Sequence, residues 1–164
     1  MKADSSPLSH YPQISSFHYE GKWLAITTEE ERGMLYIWDI SSRSCLNSIQ
    51  LECSFVLMIR FCGGENIVLY GFNHKYETVV LLLNWRTKTI IGRSRMVHSG
   101  NWIIRDISPV NYKRNNLEFV TCGNLHLCYW ELRGDSLVYE NFNSQHKAAY
   151  VCVRSINHYI VTGC

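Results

Sequence analysis

Short runs of alternating apolar and polar residues fill most of the chain, and turn-forming residues separate them at close intervals. Runs of about four to eight residues rich in Val, Ile, Thr, Tyr and Trp predict β-strands, and the turns between them predict hairpins. The pattern disfavours helical architectures. It predicts strands at Ile14–Tyr19, Trp23–Thr27, Tyr36–Asp39, Cys45–Leu51, Phe55–Cys62, Ile67–Gly71, Leu83–Arg86, Thr89–Arg93, Trp102–Val110, Phe119–Gly123, Cys128–Glu131, Ser136–Phe142, Ala149–Ile156 and Tyr159–Gly163.

Three of these strands end in a tryptophan followed by a polar residue. The spacing is 47 residues from Trp38 to Trp85 and 45 residues from Trp85 to Trp130, and each tryptophan has the same order of strands around it. A propeller blade of four short strands takes about 40–45 residues. The sequence therefore predicts an all-β fold, a WD-repeat β-propeller with about three four-stranded blades and part of a fourth. A β-sandwich also has closely spaced strands, but it does not repeat its sequence at a fixed period.

The residue after each tryptophan is expected to help close the turn to the outer strand, while the indole packs between blades. Trp38-Asp39 matches this pattern and Trp130-Glu131 keeps the acid, whereas Arg86 after Trp85 departs from it. Residues 1–13 are predicted to be a flexible leader and residues 14–164 a partial propeller. Because a ring usually has four to eight blades, we expect this arc to belong to a larger protein, with completion by a partner as the alternative.

Composition narrows the class of partner. The net charge of +2 is too small to indicate nucleic acid or an anionic membrane. Apolar runs such as Val79–Leu83 are far shorter than the roughly 20 residues that span a bilayer, and the polar start of the chain does not resemble a signal peptide. Seven cysteines without a Cys-x-x-Cys pair favour a reducing, cytoplasmic compartment.

Candidate chemistry is sparse. The sequence has no nucleophile elbow and no phosphate loop, and its seven histidines are spread singly. His126 and Cys128 alternate along one strand, but two donors are too few for a structural zinc site. We therefore expect no enzymatic activity, no cofactor and no bound metal.

Two basic groups are candidate partner contacts. Arg86, Lys88, Arg93 and Arg95 surround the outer strand of the second unit, where charge also protects an edge strand from aggregation. Lys113 and Arg114 lie in an Asn-rich loop, and loops carry recognition in propellers.

The repeats resemble those of the large WD-repeat cilia- and flagella-associated proteins. The resemblance covers about residues 14–164 and rests on Trp23–Ile26 with the acidic loop 29–32, on the Tyr70–Tyr76 loop, and on Ile107–Asn111 with Phe119–Asn124 and Tyr129-Trp130. It implies a non-catalytic axonemal subunit of the cytoskeleton that positions dynein arms. Its partners would be other axonemal proteins, such as dynein-arm subunits or tubulin.

Two other functions stay open at this stage. Echinoderm-microtubule-associated-like proteins share a weaker version of the motif, which would imply direct binding to microtubules. A substrate-recognition propeller of a ubiquitin ligase is a third possibility, and it would need a peptide pocket on the face of the ring.

Overall fold

The structure is a computed structural model that describes residues 12–18, 20–28, 31–96, 103–110, 117–124, 126–142, 149–157 and 159–164, with the side chains of 12–15, 95 and 96 outside the description. The described residues form fourteen strands, which pair antiparallel in chain order within each of the units given below. Blade 1 consists of β1 (Pro12–Phe17), β2 (Trp23–Thr28), β3 (Met34–Asp39) and β4 (Ser44–Gln50). Blade 2 consists of β5 (Phe55–Phe61), β6 (Asn66–Phe72), β7 (Thr78–Asn84) and β8 (Thr89–Met96).

Blade 3 and a half-blade complete the described strands. Blade 3 consists of β9 (Ile104–Pro109), β10 (Phe119–Gly123), β11 (His126–Arg133) and β12 (Ser136–Asn141), and the half-blade consists of β13 (Cys152–Ile156) and β14 (Tyr159–Gly163). Within each blade the strands pair in chain order. The predicted organisation of three four-stranded units and part of a fourth is therefore confirmed.

Neighbouring blades meet along their first strands and through their faces. Strand β1 contacts β5, β5 contacts β9, and β9 contacts β13, so the first strands lie side by side along the inner edge of an arc. Blades 2 and 3 also touch at their outer edge, where a single parallel pair joins Arg93 of β8 to Ser136 of β12. Gly92 makes this approach possible, because an added Cβ would lie 2.5 Å from the Leu132 side chain.

Alternation along each strand distributes side chains between two cores. In β6, Ile67 and Leu69 face the core between blades 1 and 2, whereas Val68 and Tyr70 face the core between blades 2 and 3. Successive side chains of a strand point to opposite faces, so a strand in a blade that is covered on both sides has an unbroken run of apolar residues in its sequence. This explains the continuous apolar sequence Val79–Leu83 in β7.

The two ends of the arc differ from its middle. The half-blade buries Val153 against blade 3 but leaves Ile156 (55% exposed), Tyr159 (74%) and Val161 (52%) in solvent. In the part of the chain that the structure describes, no helix is long and apolar enough to cross a bilayer. The predicted leader falls almost wholly outside the described residues, which begin with β1 at Pro12.

Candidate protein-interaction site

The three tryptophans used to recognise the repeat all lie on the same side of their blades. Trp85 packs in the core between blades 1 and 2, and Trp130 packs in the core between blades 2 and 3; both are at most 1% exposed. Trp38 lies on the corresponding face of blade 1, against Ile26 and Tyr36. Each indole is thus directed toward the preceding position in the arc.

The polar residue after the first tryptophan organises the turn between β3 and β4. The Oδ1 atom of Asp39 accepts hydrogen bonds from the Ser41 hydroxyl (2.5 Å) and the Ser42 amide (2.9 Å). The Ser41 hydroxyl, followed by the Ser42 amide, holds the pKa of this carboxyl below its ordinary value. Arg43 completes the turn with a positive φ of 53°.

In blade 2 the same turn is organised by the residue before the tryptophan. Asn84 Oδ1 accepts the amides of Arg86 and Thr87, each at 3.0 Å. The backbone registers agree, since Asn84 pairs with Thr89 as Asp39 pairs with Ser44. Trp85 therefore lies two residues later in its blade than Trp38 does in blade 1, where Leu83 is the residue equivalent to Trp38, and Asn84 is a position that sequence reasoning missed.

Blade 3 closes its third and fourth strands differently. A two-residue turn at Gly134 and Asp135 joins Arg133 directly to Ser136. Glu131 lies within β11 and forms an ion pair with Arg133 instead of accepting turn amides. Trp130 donates its indole N–H to the hydroxyl of Thr121 at 2.8 Å, and both side chains are fully buried.

The predicted basic cluster is only partly brought together. Arg86 Nε pairs at 2.6 Å with Glu65 in the β5–β6 turn of its own blade. Arg93 pairs at 2.7 Å with Glu52, which lies in the linker between blades 1 and 2. Lys88 is exposed at the β7–β8 turn. Arg95 belongs to β8, and its side chain is not described, while Lys113 and Arg114 lie outside the described residues. Their contact with a partner stays a prediction.

Arg86 also stacks on two aromatic rings. Its guanidinium lies 5.1 Å from the centroid of Trp23 and 4.6 Å from that of Trp85, and the two indoles meet edge to face at 5.0 Å. Asn47 of β4 donates to the Trp85 carbonyl at 3.0 Å across the junction of blades 1 and 2. The ion pair, the rings and the inter-blade hydrogen bond together fix the position of this arginine.

A groove of about 670 Å³ opens beside this stack. Two aliphatic side chains in it are partly in solvent, Ile40 at 40% and Leu46 at 42% exposed. Lys22, which pairs with Glu20 at 2.6 Å, borders it on the β1–β2 side. Aromatic and arginine side chains flanked by exposed aliphatic ones are typical of the centre of a protein interface. The groove is lined by Gly21, Lys22, Trp23, Asp39, Ile40, Ser41, Leu46 and Arg86.

A buried carboxylate on the inner strands was not anticipated from the sequence. Asp106 of β9 pairs with Arg60 of β5 at 3.1 Å and with Arg154 of β13 at 2.5 Å, and its side chain is 7% exposed. It also accepts the amides of Ile107 (3.0 Å) and Val153 (3.1 Å). One acid thus joins the first strands of two blades and the half-blade.

The remaining reactive groups are largely enclosed. Burial raises the pKa of the Cys53 thiol to about 11 and those of Cys62, Cys122 and Cys128 to about 12. Burial lowers the pKa of His18, which packs on Trp23 with ring centroids 4.5 Å apart. Within the described part of the chain, no three His, Cys, Asp or Glu side chains form a group that could hold a metal ion.

Comparisons with known proteins bear on the fold alone. No protein-family model matches the chain, and no curated protein matches it. Among solved structures, the crystal structure of RRP9 WD40 repeats is similar to 93% of this chain, with a TM-score of 0.65 and 12% sequence identity. The chain spans 44% of the length of that structure. Its fold is that of a WD40-repeat β-propeller, present as three blades and half of a fourth.

Proposed function

We propose that the chain is a non-catalytic scaffold that binds another protein in the groove at the junction of blades 1 and 2. The observation that carries this proposal is the exposed aliphatic pair Ile40 and Leu46 beside the stacked Arg86. A partner segment would lay apolar side chains on Ile40, Leu46 and the edge of Trp23. Because Arg86 is already held by Glu65 and two rings, it would lose little conformational entropy on binding.

The cellular setting that we propose is the axoneme of a cilium or flagellum. This part of the proposal rests on the resemblance of the repeats to the cilia- and flagella-associated proteins, together with the propeller fold that such a protein requires. The partners would be axonemal proteins, among them dynein-arm subunits or tubulin. Direct microtubule binding and substrate recognition for a ubiquitin ligase are the competing assignments.

The groove is tested with a pair of leucine variants. Leu46→Glu places a charge in the groove, whereas Leu57→Glu places one at a leucine of equal exposure, 41%, on the inner strand β5. If the groove binds the partner, the first variant should lose association with solubilised axonemal proteins and the second should retain it. Equal binding by both variants would remove the groove from the proposal. Unfolding curves of both proteins establish that each is folded.

The setting is tested separately by sedimentation with assembled axonemes, with bare microtubules and with a lysate of unciliated cells. Binding to axonemes alone supports the axonemal proposal. Stoichiometric binding to bare microtubules would favour the microtubule-binding alternative. Recovery of ubiquitin-ligase subunits from the lysate, without retention on axonemes, would overturn the axonemal assignment in favour of the third.

A further inference from the structure

Two loops noted in the sequence, the acidic loop 29–32 and the loop Tyr70–Tyr76, come together at the junction of blades 1 and 2. They belong to the β2–β3 and β6–β7 connections, and the linker 51–54 runs between them. The amide of Leu51 donates to the carbonyl of Gly33 at 2.7 Å, which ties this linker to the first loop. Because neighbouring strands are antiparallel, these connections lie at the opposite end of the strands from the turns that border the groove.

A stack of three side chains connects the two loops. The guanidinium of Arg32 lies 4.9 Å from the centroid of the Phe55 ring. The ring of Tyr76 stacks on Phe55, with centroids 6.0 Å apart and an angle of 20° between the planes. Tyr76 is 74% exposed, so most of its side chain is open to a further group.

The β6–β7 turn holds Tyr76 in a fixed position. Asn73 Oδ1 accepts the amides of Lys75 at 2.9 Å and Glu77 at 3.0 Å, and the Asn73 carbonyl accepts the amide of Tyr76 at 3.0 Å. Tyr76 has a φ of 59°, in the left-handed region that aromatic residues rarely adopt. A ring on a turn that is already ordered costs little conformational entropy when a partner binds.

A pocket of about 250 Å³ opens at the same turn, lined by Glu52, Asn73, His74, Val79 and Leu81. Val79 and Leu81 belong to the buried core between blades 1 and 2, whereas Glu52 brings a carboxylate that is about half exposed. Apolar surface next to a carboxylate fits a lysine or arginine side chain, because the methylene groups pack on the apolar surface while the cation pairs with the acid.

Glu52 can accept a further cation. Its Oε1 atom pairs with Arg93 at 2.7 Å, and both side chains are more than half exposed. Such a pair at the surface contributes little to stability, because water screens it. An incoming cation can therefore share or take over the carboxylate at little cost.

The charge of the three connections favours a basic ligand. Residues 29–33, 51–54 and 73–77 contain five glutamates and two basic residues, a net charge of −3 with histidine neutral, whereas the whole chain carries +2. Two of these glutamates, Glu29 and Glu30, lie outside the described residues and enter only through their charge. Complementary charge steers a partner to a surface and selects against partners of the same sign.

We propose that this face binds a basic polypeptide segment through two cationic side chains. One enters the pocket, where its methylene groups contact Val79 and Leu81 and its charge pairs with Glu52. The other lies over the ring of Tyr76, in a cation–π contact like the one that Arg32 makes with Phe55. This site is distinct from the groove, so the arc holds two partner segments at opposite ends of the strands of blades 1 and 2.

The test uses the 164-residue chain and fluorescently labelled glycine–serine peptides that carry two lysines at a series of separations. A matched set carries glutamate in place of each lysine. Binding is followed by anisotropy at low ionic strength. We expect saturable binding of at least one lysine peptide and no binding of the glutamate set. The lysine peptide with the highest affinity is then titrated against the variants.

Two substitutions at the pocket should change the affinity in opposite directions. Glu52→Gln removes the acid and should weaken binding about fivefold, whereas Arg93→Gln releases Glu52 from its present cation and should strengthen binding about twofold. Glu140→Gln is the matched control, because it removes the same charge from an exposed position in blade 3 and should leave the affinity unchanged.

Two substitutions at the ring separate the cation–π contact from general packing. Tyr76→Leu removes the aromatic ring and should weaken binding about threefold, whereas Tyr76→Phe keeps the ring and should bind like the unmodified chain. Urea unfolding curves establish that each variant is folded.

Three results would overturn the proposal. The first is an absence of binding by every lysine peptide, and the second is binding of the glutamate set in their place, since the face would then select acidic segments. The third is lysine-peptide binding that is insensitive to both Glu52→Gln and Tyr76→Leu. Leu46→Glu should leave peptide binding unchanged, so failure of the groove and failure of this site are distinguishable.

Discussion

Replacing Asp106 with alanine should destabilise the inner edge of the arc more than a substitution at an exposed residue would. The carboxylate accepts the amides of Ile107 and Val153 and pairs with Arg60 and Arg154. Alanine leaves both amides without this acceptor and leaves two guanidinium groups without their common acid. The effect should concentrate where β9 meets β13, because Val153 is fully buried there.

The magnitude follows from the separate contacts. A buried amide that loses its acceptor costs about 1–3 kcal/mol, and Val153 is in that position. The arginines are partly in solvent, 35% and 60% exposed, so water screens them after the loss and each contributes about 1 kcal/mol or less. We expect Asp106→Ala to lower the free energy of unfolding by about 1–5 kcal/mol in total. Asp106→Asn should cost less, because its amide oxygen still accepts one hydrogen bond.

Urea unfolding monitored by tryptophan fluorescence measures the total, and native-state hydrogen exchange locates it. The amides of Val153 and Ser155 should exchange faster in the variant, since both donate to side chains of β9. Asp39→Asn is the control, because it replaces an acid in an exposed turn and keeps the accepting oxygen. A loss below about 1 kcal/mol for Asp106→Ala, or faster exchange spread evenly into blade 1, would refute the proposed role of the carboxylate.

Three further predictions concern backbone approach, an indole hydrogen bond and alkaline pH. Gly71→Ala should lower the free energy of unfolding by about 2 kcal/mol or more, because the added Cβ would lie 2.0 Å from the Phe55 carbonyl oxygen. Gly64→Ala is the control and should be neutral in the same urea assay, because a Cβ added there would have no atom of another residue within 4 Å. Thr121→Val should cost about 1 kcal/mol in the native chain but much less in a Trp130→Phe background, and a double-mutant cycle without coupling would contradict this hydrogen bond. Burial raises the pKa values of the Cys53, Cys62, Cys122 and Cys128 thiols from the ordinary value of 9.0 to about 11–12 in the folded chain. The contribution of these thiols to the free energy of unfolding should therefore be complete below pH 9 and should be lost progressively between about pH 9 and 12. Unfolding free energies that stay level over this range would contradict this prediction.

The strand order was predictable because it depends on local pattern and on a period. Polar turns and apolar runs define each hairpin, and the tryptophan spacing groups four hairpin-linked strands into a unit. The spacing was less reliable as a guide to register. Trp85 lies after the end of β7, so Asn84 takes the turn position that Asp39 holds in blade 1. A capping oxygen can precede or follow a tryptophan, and only the pairing of the strands settles which.

The contacts between blades were not predictable from one sequence. Asp106 meets Arg60 and Arg154, which are 46 and 48 residues away, and nothing local marks these three residues as neighbours. The groove has the same origin, because it joins the β1–β2 loop and the β3–β4 turn of blade 1 to Arg86 of blade 2. The charge of Arg86 alone makes it a candidate contact in the sequence. Its stacking on Trp23 depends on how blades 1 and 2 pack against each other and therefore could not be predicted.

Stability along the arc should decline from blade 2 toward both ends. Among the strands that the structure describes, blade 2 buries both faces, blade 1 has a neighbouring blade only on its blade 2 side, and the half-blade covers one face with two strands. In a repeat architecture the stability of a unit depends on its interfaces with its neighbours, so the unit with two interfaces opens last. Amides of β6 and β7 should therefore exchange most slowly, and those of β14 should exchange fastest among the strands. Uniform protection across all fourteen strands would mean that the arc unfolds as one cooperative body, and the nearest-neighbour description would then fail.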